Sequence, residues 1–183
     1  MAVSYQRMDN GYRKKNIHSR IAIGTNIFMN NERLFTVKLN VELKKRIIKC
    51  LVWSVALYAA ETWTLMQPDR SKLEAFEVWI WRRMEKMMDV KTTEEILNVV
   101  QENRKMLNTI WCCKHKWMGH VLRHDGLLRD VLEGRMLGKR TRGRRRIQLI
   151  DDLLEKKNYT DLKKTAEDSS VWRTIRRDCY KPA

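Results

Sequence analysis

The chain has 183 residues, long enough for one domain or one domain with a smaller appendage, and 43% of them are hydrophobic, enough to build a core. With only 7 Gly and 2 Pro, a β-sandwich, long loops and pervasive disorder are excluded for most of its length. Its 38 Lys and Arg against 22 Asp and Glu leave a net charge of +16, which points to polyanionic partners, nucleic acid ahead of acidic proteins or membrane surfaces.

Residues 1–35 are basic and weakly patterned. Within them, 13–23 suit a helix with Ile17, Ile21 and Gly24 on one side, and Asn30-Asn31 reads as a turn. Residues 1–20 hold no apolar core, so no secretory signal is expected there. Asn40 is a good N-cap for a helix over 41–60. The second half of that helix is apolar nearly all round, through Cys50, Leu51, Val52, Trp53, Val55, Ala56, Leu57 and Tyr58, which predicts a central place in a bundle. Its apolar stretch is shorter than the ~20 residues a bilayer span needs.

Pro68 suits the first turn of the next helix. There Leu73, Phe76, Ile80, Met84 and Met87 fall at helical spacing, Trp79 and Trp81 flank the stripe, and Lys72, Glu74, Arg82, Arg83 and Lys86 take the opposite face. Thr92 and Glu95 form a capping-box pattern. A longer helix is expected over 102–123, with Leu107, Ile110, Lys114, Trp117 and Val121 along one face. Gly126 and Gly134 bracket a short helix over 127–133. Residues 147–157 resume helix, Thr160 caps another, and 170–177 forms the last, anchored by Val171, Trp172 and Ile175. The expected fold is all-α, an irregular bundle of about six to eight helices. In chain order it divides into a basic N-terminal segment or helix (1–35), a helical domain (36–133), an exposed basic loop (134–146) and C-terminal helices (147–183).

The basic loop differs in kind from the rest. It holds Arg135, Lys139, Arg140, Arg142, Arg144, Arg145 and Arg146, three glycines and no acid. Such a segment can follow a phosphate strand, with arginine forks taking phosphate oxygens, and would position a nucleic acid without reading its sequence. The plainer reading is a solvated loop or a nuclear-import signal. Arg123 and Lys116 are expected to support the contact from the preceding helix.

Two features invite a metal. Cys113, His120 and His124 can share one helix face, but no C-x-x-C pair accompanies them, and a packed tryptophan with polar histidines at a helix end is the preferred reading. Asp151-Asp152 has the look of a two-metal carboxylate pair, yet adjacent helical residues point about 100° apart. Near a helix start the two charges serve the dipole instead. No metal or other cofactor is expected. The four cysteines form no disulfide framework, and reduced thiols inside the cell, in nucleus or cytoplasm, are expected. No P-loop, nucleophile elbow, H-E-x-x-H or Rossmann glycine set occurs.

The ordered set of motifs resembles a known family. It runs from Val41-Glu42-Leu43-Lys44-Lys45-Arg46 through Val52-Trp53-Ser54-Val55-Ala56-Leu57-Tyr58, Glu61-Thr62-Trp63-Thr64-Leu65 and Leu73-Glu74-Ala75-Phe76-Glu77-Val78-Trp79. It continues through Arg82-Arg83-Met84, Trp117-Met118-Gly119-His120-Val121-Leu122-Arg123-His124, Leu132-Glu133-Gly134-Arg135 and the basic loop. In this order the motifs resemble the C-terminal portion of endonuclease–reverse transcriptases of non-LTR (LINE-type) retrotransposons, over roughly residues 11–175. The resemblance implies thumb and post-thumb elements that grip a primer–template duplex of RNA or DNA. It also implies that polymerase carboxylates belong to an aromatic-x-Asp-Asp palm motif, which nothing here matches, so the chain is not expected to act as an enzyme by itself. Departures are Arg145 where the family commonly has Pro, a shortened stretch at 85–93, and Ala59 or Ala60 where Gly is common. Alternatives are a transposon-derived scaffold that binds protein and a remnant without function.

Overall fold

A computed structural model describes residues 2–86, 92–133 and 158–177, with side chains from Asn16 to Ile175 within those spans. The protein is all-α, and among the described residues there is no strand. The helices are α1 (Ala2–Asn30), α2 (Glu32–Thr36), α3 (Val41–Ile48), α4 (Ser54–Ala56), α5 (Gln67–Met84), α6 (Thr93–Val100), α7 (Met106–Arg123), α8 (Leu127–Glu133), α9 (Tyr159–Glu167) and α10 (Ser169–Arg177). A π-helical turn, Lys49–Trp53, joins α3 to α4, and Ala60–Thr62 is a 3-10 turn. Two compact units are formed, one from Arg13–Tyr58 and Met66–Leu107, the other from Met1–Tyr12, Ala59–Leu65 and Asn108–Ala183.

In the Arg13–Tyr58 and Met66–Leu107 unit, Ile17, Gly24 and Phe28 of α1 are buried at helical spacing. Phe28 stacks on Phe35 of α2 with centroids 4.8 Å apart and meets Trp79 of α5 edge-on at 5.3 Å. Gly24 lets α1 approach closely, since a Cβ there would lie 2.9 Å from Cζ of Phe76. Asn40 caps α3, its side chain accepting from the Glu42 amide at 2.8 Å. The apolar run that follows is not buried on every side. Ile48, Val52, Trp53 and Ala56 are buried, whereas Leu51 is 41% and Tyr58 63% exposed. Only one side of this helix meets core, and single apolar residues are tolerated on a surface. The exposed Tyr58 ring carries one cation-π contact, with the Arg20 guanidinium 4.6 Å from its centroid.

Pro68 sits in the first turn of α5, and the Asp69 carboxylate accepts from the Met66 amide at 3.2 Å. Leu73, Phe76, Ile80 and Met84 are buried as expected, while Met87 lies outside the described residues. Trp81 does more than flank that stripe: it is fully buried, tilted against Trp53 at 6.3 Å. The capping box of α6 is formed, with Glu95 accepting from the Thr92 amide at 3.0 Å and Thr92 from the Glu95 amide at 3.4 Å. That helix ends on Gln101 in the left-handed region, φ 52°.

α7 starts at Met106, later than the sequence suggests, because residues 102–105 have other work. The Glu77 carboxylate, buried on α5, accepts from the amides of Lys105 at 3.0 Å and Met106 at 3.2 Å, capping α7 from a neighbouring helix. Burial pushes Glu77 above its ordinary value, against the pull of those two amides. Glu102 gathers Lys105 at 2.7 Å, Lys49 at 2.9 Å and the buried Lys45 at 3.6 Å. Its burial opposes ionisation, but the bonds from Lys105 and Lys49 prevail and hold its carboxyl below the ordinary value.

In the unit containing Asn108–Ala183, the core is Met118, Val121 and Leu122 of α7, Leu132 of α8, Leu162 and Ala166 of α9, and Trp172 of α10. Trp63 is also buried, and Lys114, buried on α7, donates to its carbonyl at 3.0 Å. α8 has the expected span. α9 begins before Thr160, with Asn158 at the cap position, since Tyr159 already reaches Glu133 of α8 at 2.9 Å. Asp168 caps α10, accepting from the amides of Ser170 at 2.8 Å and Val171 at 3.3 Å. Trp172 carries the anchoring of α10, while Val171 is 44% exposed and takes no part in it.

Candidate nucleic-acid interface

Arg135, Lys139, Arg140, Arg142, Arg144, Arg145 and Arg146 lie outside the described residues, as do Asp151, Asp152 and the helix expected over 147–157. Lys116 and Arg123, the two cations expected to support the contact, are described and have different surroundings.

α7 is sharply two-sided. Ile110, Lys114, Met118, Val121 and Leu122 face inward, while Cys113, Lys116 and His120 are exposed along the outer side and His124 is exposed just past the helix end. Lys116 therefore stands in solvent, where a phosphate can reach it. Arg123 is half-buried, and its guanidinium Nη1 donates to the Ala166 carbonyl at 3.0 Å, joining α7 to α9. Its charge is committed to a carbonyl near the end of α9. Lys114 is withdrawn in the same way by the Trp63 carbonyl.

The histidines also divide. His115 is buried in a stack, 5.0 Å from Trp111 and 4.0 Å from Trp172 by ring centroids. His120 and His124 are exposed, with rings tilted at 4.4 Å. Cys113 precedes His120 by two turns, about 10 Å along a helix at 1.5 Å per residue. Among the described residues no three His, Cys, Asp or Glu side chains gather around a common point.

Gly119 explains the small residue in the Trp117–His124 motif. A Cβ there would fall 2.6 Å from Cδ1 and 2.8 Å from Cε2 of Trp172, and nearer still to its Nε1. The glycine lets the indole lie on the helix, where Nε1 donates to the His115 carbonyl at 3.0 Å. This motif is therefore a packing joint on its inner side and a row of polar groups on its outer side.

The sequence suggests that Trp53, Trp79 and Trp172 fill core rather than stack bases and leaves Trp63 open; Trp53, Trp172 and Trp63 are buried, whereas Trp79 departs from that expectation. Trp79 is only half-buried and lines a groove with Arg82 and Arg104. No run of charge marks these two arginines in the sequence, because they come from α5 and from the segment before α7. Among the described residues, no helix is long and apolar enough to cross a membrane. Comparison of the chain with protein-family models, curated proteins and solved structures finds no match.

Proposed function

We propose that this protein binds RNA or DNA, without strong sequence preference, through the basic segment 134–146 and exposed cations such as Lys116. The observation that carries the reading is the distribution of charge. Seven cations and no acid fall within 13 residues, leaving +9 for the other 170. A local field of that density attracts a phosphate backbone and releases its counterions. The likeness to the thumb and post-thumb portion of LINE-type reverse transcriptases supports the same reading and suggests a primer–template duplex as the natural ligand. On this reading the chain contributes grip and no chemistry, since it offers no palm-type carboxylate pair.

The test is binding to a labelled primer–template duplex across a salt series, with the wild-type chain and a variant carrying Ala at Lys139, Arg140, Arg142, Arg144, Arg145 and Arg146. The logarithm of affinity should fall with log salt by about 0.9 per phosphate contact, and the variant should lose most of that slope. Salt-independent binding, or a variant that binds like wild type, refutes the proposal. Primer extension by the chain with divalent metal would refute the grip-only reading.

A further inference from the structure

A groove of about 440 Å³ runs beside α5. Its lining includes Ser71, Glu74, Trp79 and Arg82 of α5, Thr93 at the start of α6, and Arg104. The volume suits one small ligand unit rather than a protein segment.

Phe28 meets the tryptophan edge-on at 5.3 Å and Phe76 stacks with it at 6.1 Å, while the Arg83 guanidinium lies over the ring, 5.2 Å from its centroid, a surface contact worth less than a stacked base and one that such a base would displace. An aromatic ring held by core packing and half open to a groove is a rigid platform for another flat ring, with little entropy to lose on stacking. The cations stand on the same groove. The Arg104 side chain is 45% exposed, and its guanidinium is 3.5 Å from the Glu74 carboxylate, a loose pair that a phosphate can displace. Arg82 is exposed. Ser71 and Thr93 add hydroxyls, and Glu74 adds an acceptor for an amino or hydroxyl hydrogen.

We infer that this groove holds one nucleotide unit of a single nucleic-acid strand, its base stacked on Trp79 and its flanking phosphates on Arg82 and Arg104. The inference rests on the reading above that the chain binds nucleic acid, and it adds a second site of a different type. Segment 134–146 offers charge alone and suits any polyanion. The groove offers a π face with two cations and requires a base. An acidic peptide would use the arginines but would leave Trp79 idle and meet repulsion from Glu74.

The probes are a fluorescein-labelled oligouridylate of twelve nucleotides and an abasic sugar–phosphate strand of the same length, titrated into the full chain at several salt concentrations. Wild type should prefer the oligouridylate roughly fivefold or more, the scale of one stacked base. Arg82→Gln and Arg104→Gln, both on exposed side chains, should each lower the salt slope by about 0.7, the single-strand value for one contact. Trp79→Phe keeps the core ring and should reduce the preference for bases. A 5-bromouridine version, crosslinked to wild type by light and mapped by mass spectrometry, should label the peptide holding Trp79. Equal affinity for the two strands, unchanged slopes in both arginine variants, or crosslinks confined to peptides of 134–146 would overturn the groove while leaving nucleic-acid binding intact. Displacement of the oligouridylate by polyglutamate as readily as by unlabelled strand would also overturn it. No binding to either strand at low salt would sink the underlying reading and the groove with it.

Discussion

Replacing Gly119 by Ala sets two physical effects against each other with opposite signs. Glycine in a helix interior costs about 1 kcal/mol relative to alanine, so propensity alone makes Gly119→Ala stabilising. The structure says the reverse. The new Cβ would lie 2.6 Å and 2.8 Å from two atoms of the Trp172 indole, whereas contacts under 3.0 Å are essentially never seen. The neighbour is a rigid, buried ring with 3% exposure, so no flexible end can swing aside. Overpacking of this kind costs about 1–3 kcal/mol. Pushing the indole away also weakens the bond from Nε1 to the His115 carbonyl and the stack on the His115 ring, together about 1–2 kcal/mol. The net expectation after the helix gain is a loss of about 1–4 kcal/mol. Equilibrium urea unfolding of both proteins measures it. In a double-mutant cycle with Trp172→Ala, the cost of Gly119→Ala should vanish or reverse, because the opposing ring is gone. An alanine variant as stable as wild type, or more so, would refute the packing argument.

Glu102→Gln should destabilise by about 1–3 kcal/mol at pH 7, because the charged bonds from Lys49 and Lys105 are weakened, while the buried Lys45 keeps Glu42 at 2.7 Å and the Gln101 carbonyl at 3.2 Å. Since Glu102 titrates below the ordinary glutamate value of 4.5, its stabilisation is present above that value and is lost as pH falls through its folded value. The cost of the variant should therefore shrink below pH 4.5 in acid unfolding curves. Glu77 runs the other way, because its folded value is raised and the folded chain holds that proton longer than the unfolded chain. Its term lowers stability as pH rises above 4.5, and Glu77→Gln should flatten that slope while costing about 1–3 kcal/mol for the α7 amide left facing an NH₂ group. Ala59 holds φ 58°, so Ala59→Gly should raise the unfolding midpoint, by about 0.5–1 kcal/mol in stability, where most glycine substitutions lower it.

Much of the helical plan is written locally. Asn40 before α3, Pro68 in α5 and the Thr92–Glu95 box are short-range signals, and each stands where local chemistry puts it. What the sequence conceals is long-range. Nothing near residue 105 announces that Glu77, 28 positions earlier, will cap α7. An apolar run such as 50–58 reads the same whether one side of it or every side is covered, so the exposure of Leu51 and Tyr58 depends on neighbours that periodicity does not name. The Trp79 groove is hidden for the same reason: Arg104 reaches it from another part of the chain.

Arg123 tests whether the division of cations on α7 is real. By sequence, Arg123 and Lys116 are equivalent supports for a phosphate backbone. By structure, Lys116 is exposed and Arg123 donates to the Ala166 carbonyl at 3.0 Å from a half-buried position. A charged donor serving a carbonyl near a helix end contributes about 1–2 kcal/mol, and its removal separates α7 from α9. Arg123→Ala should therefore lower the urea midpoint and leave the salt slope of duplex binding unchanged at temperatures where the chain stays folded. Lys116→Ala should do the opposite, keeping the midpoint and reducing the slope by up to about 0.9 if a phosphate rests there. Measured together, the two variants distinguish a cation that holds the fold from one that meets a ligand. A slope lost on replacing Arg123, with stability intact, would show that the Ala166 bond is expendable and that the equivalence suggested by the sequence was the better guide.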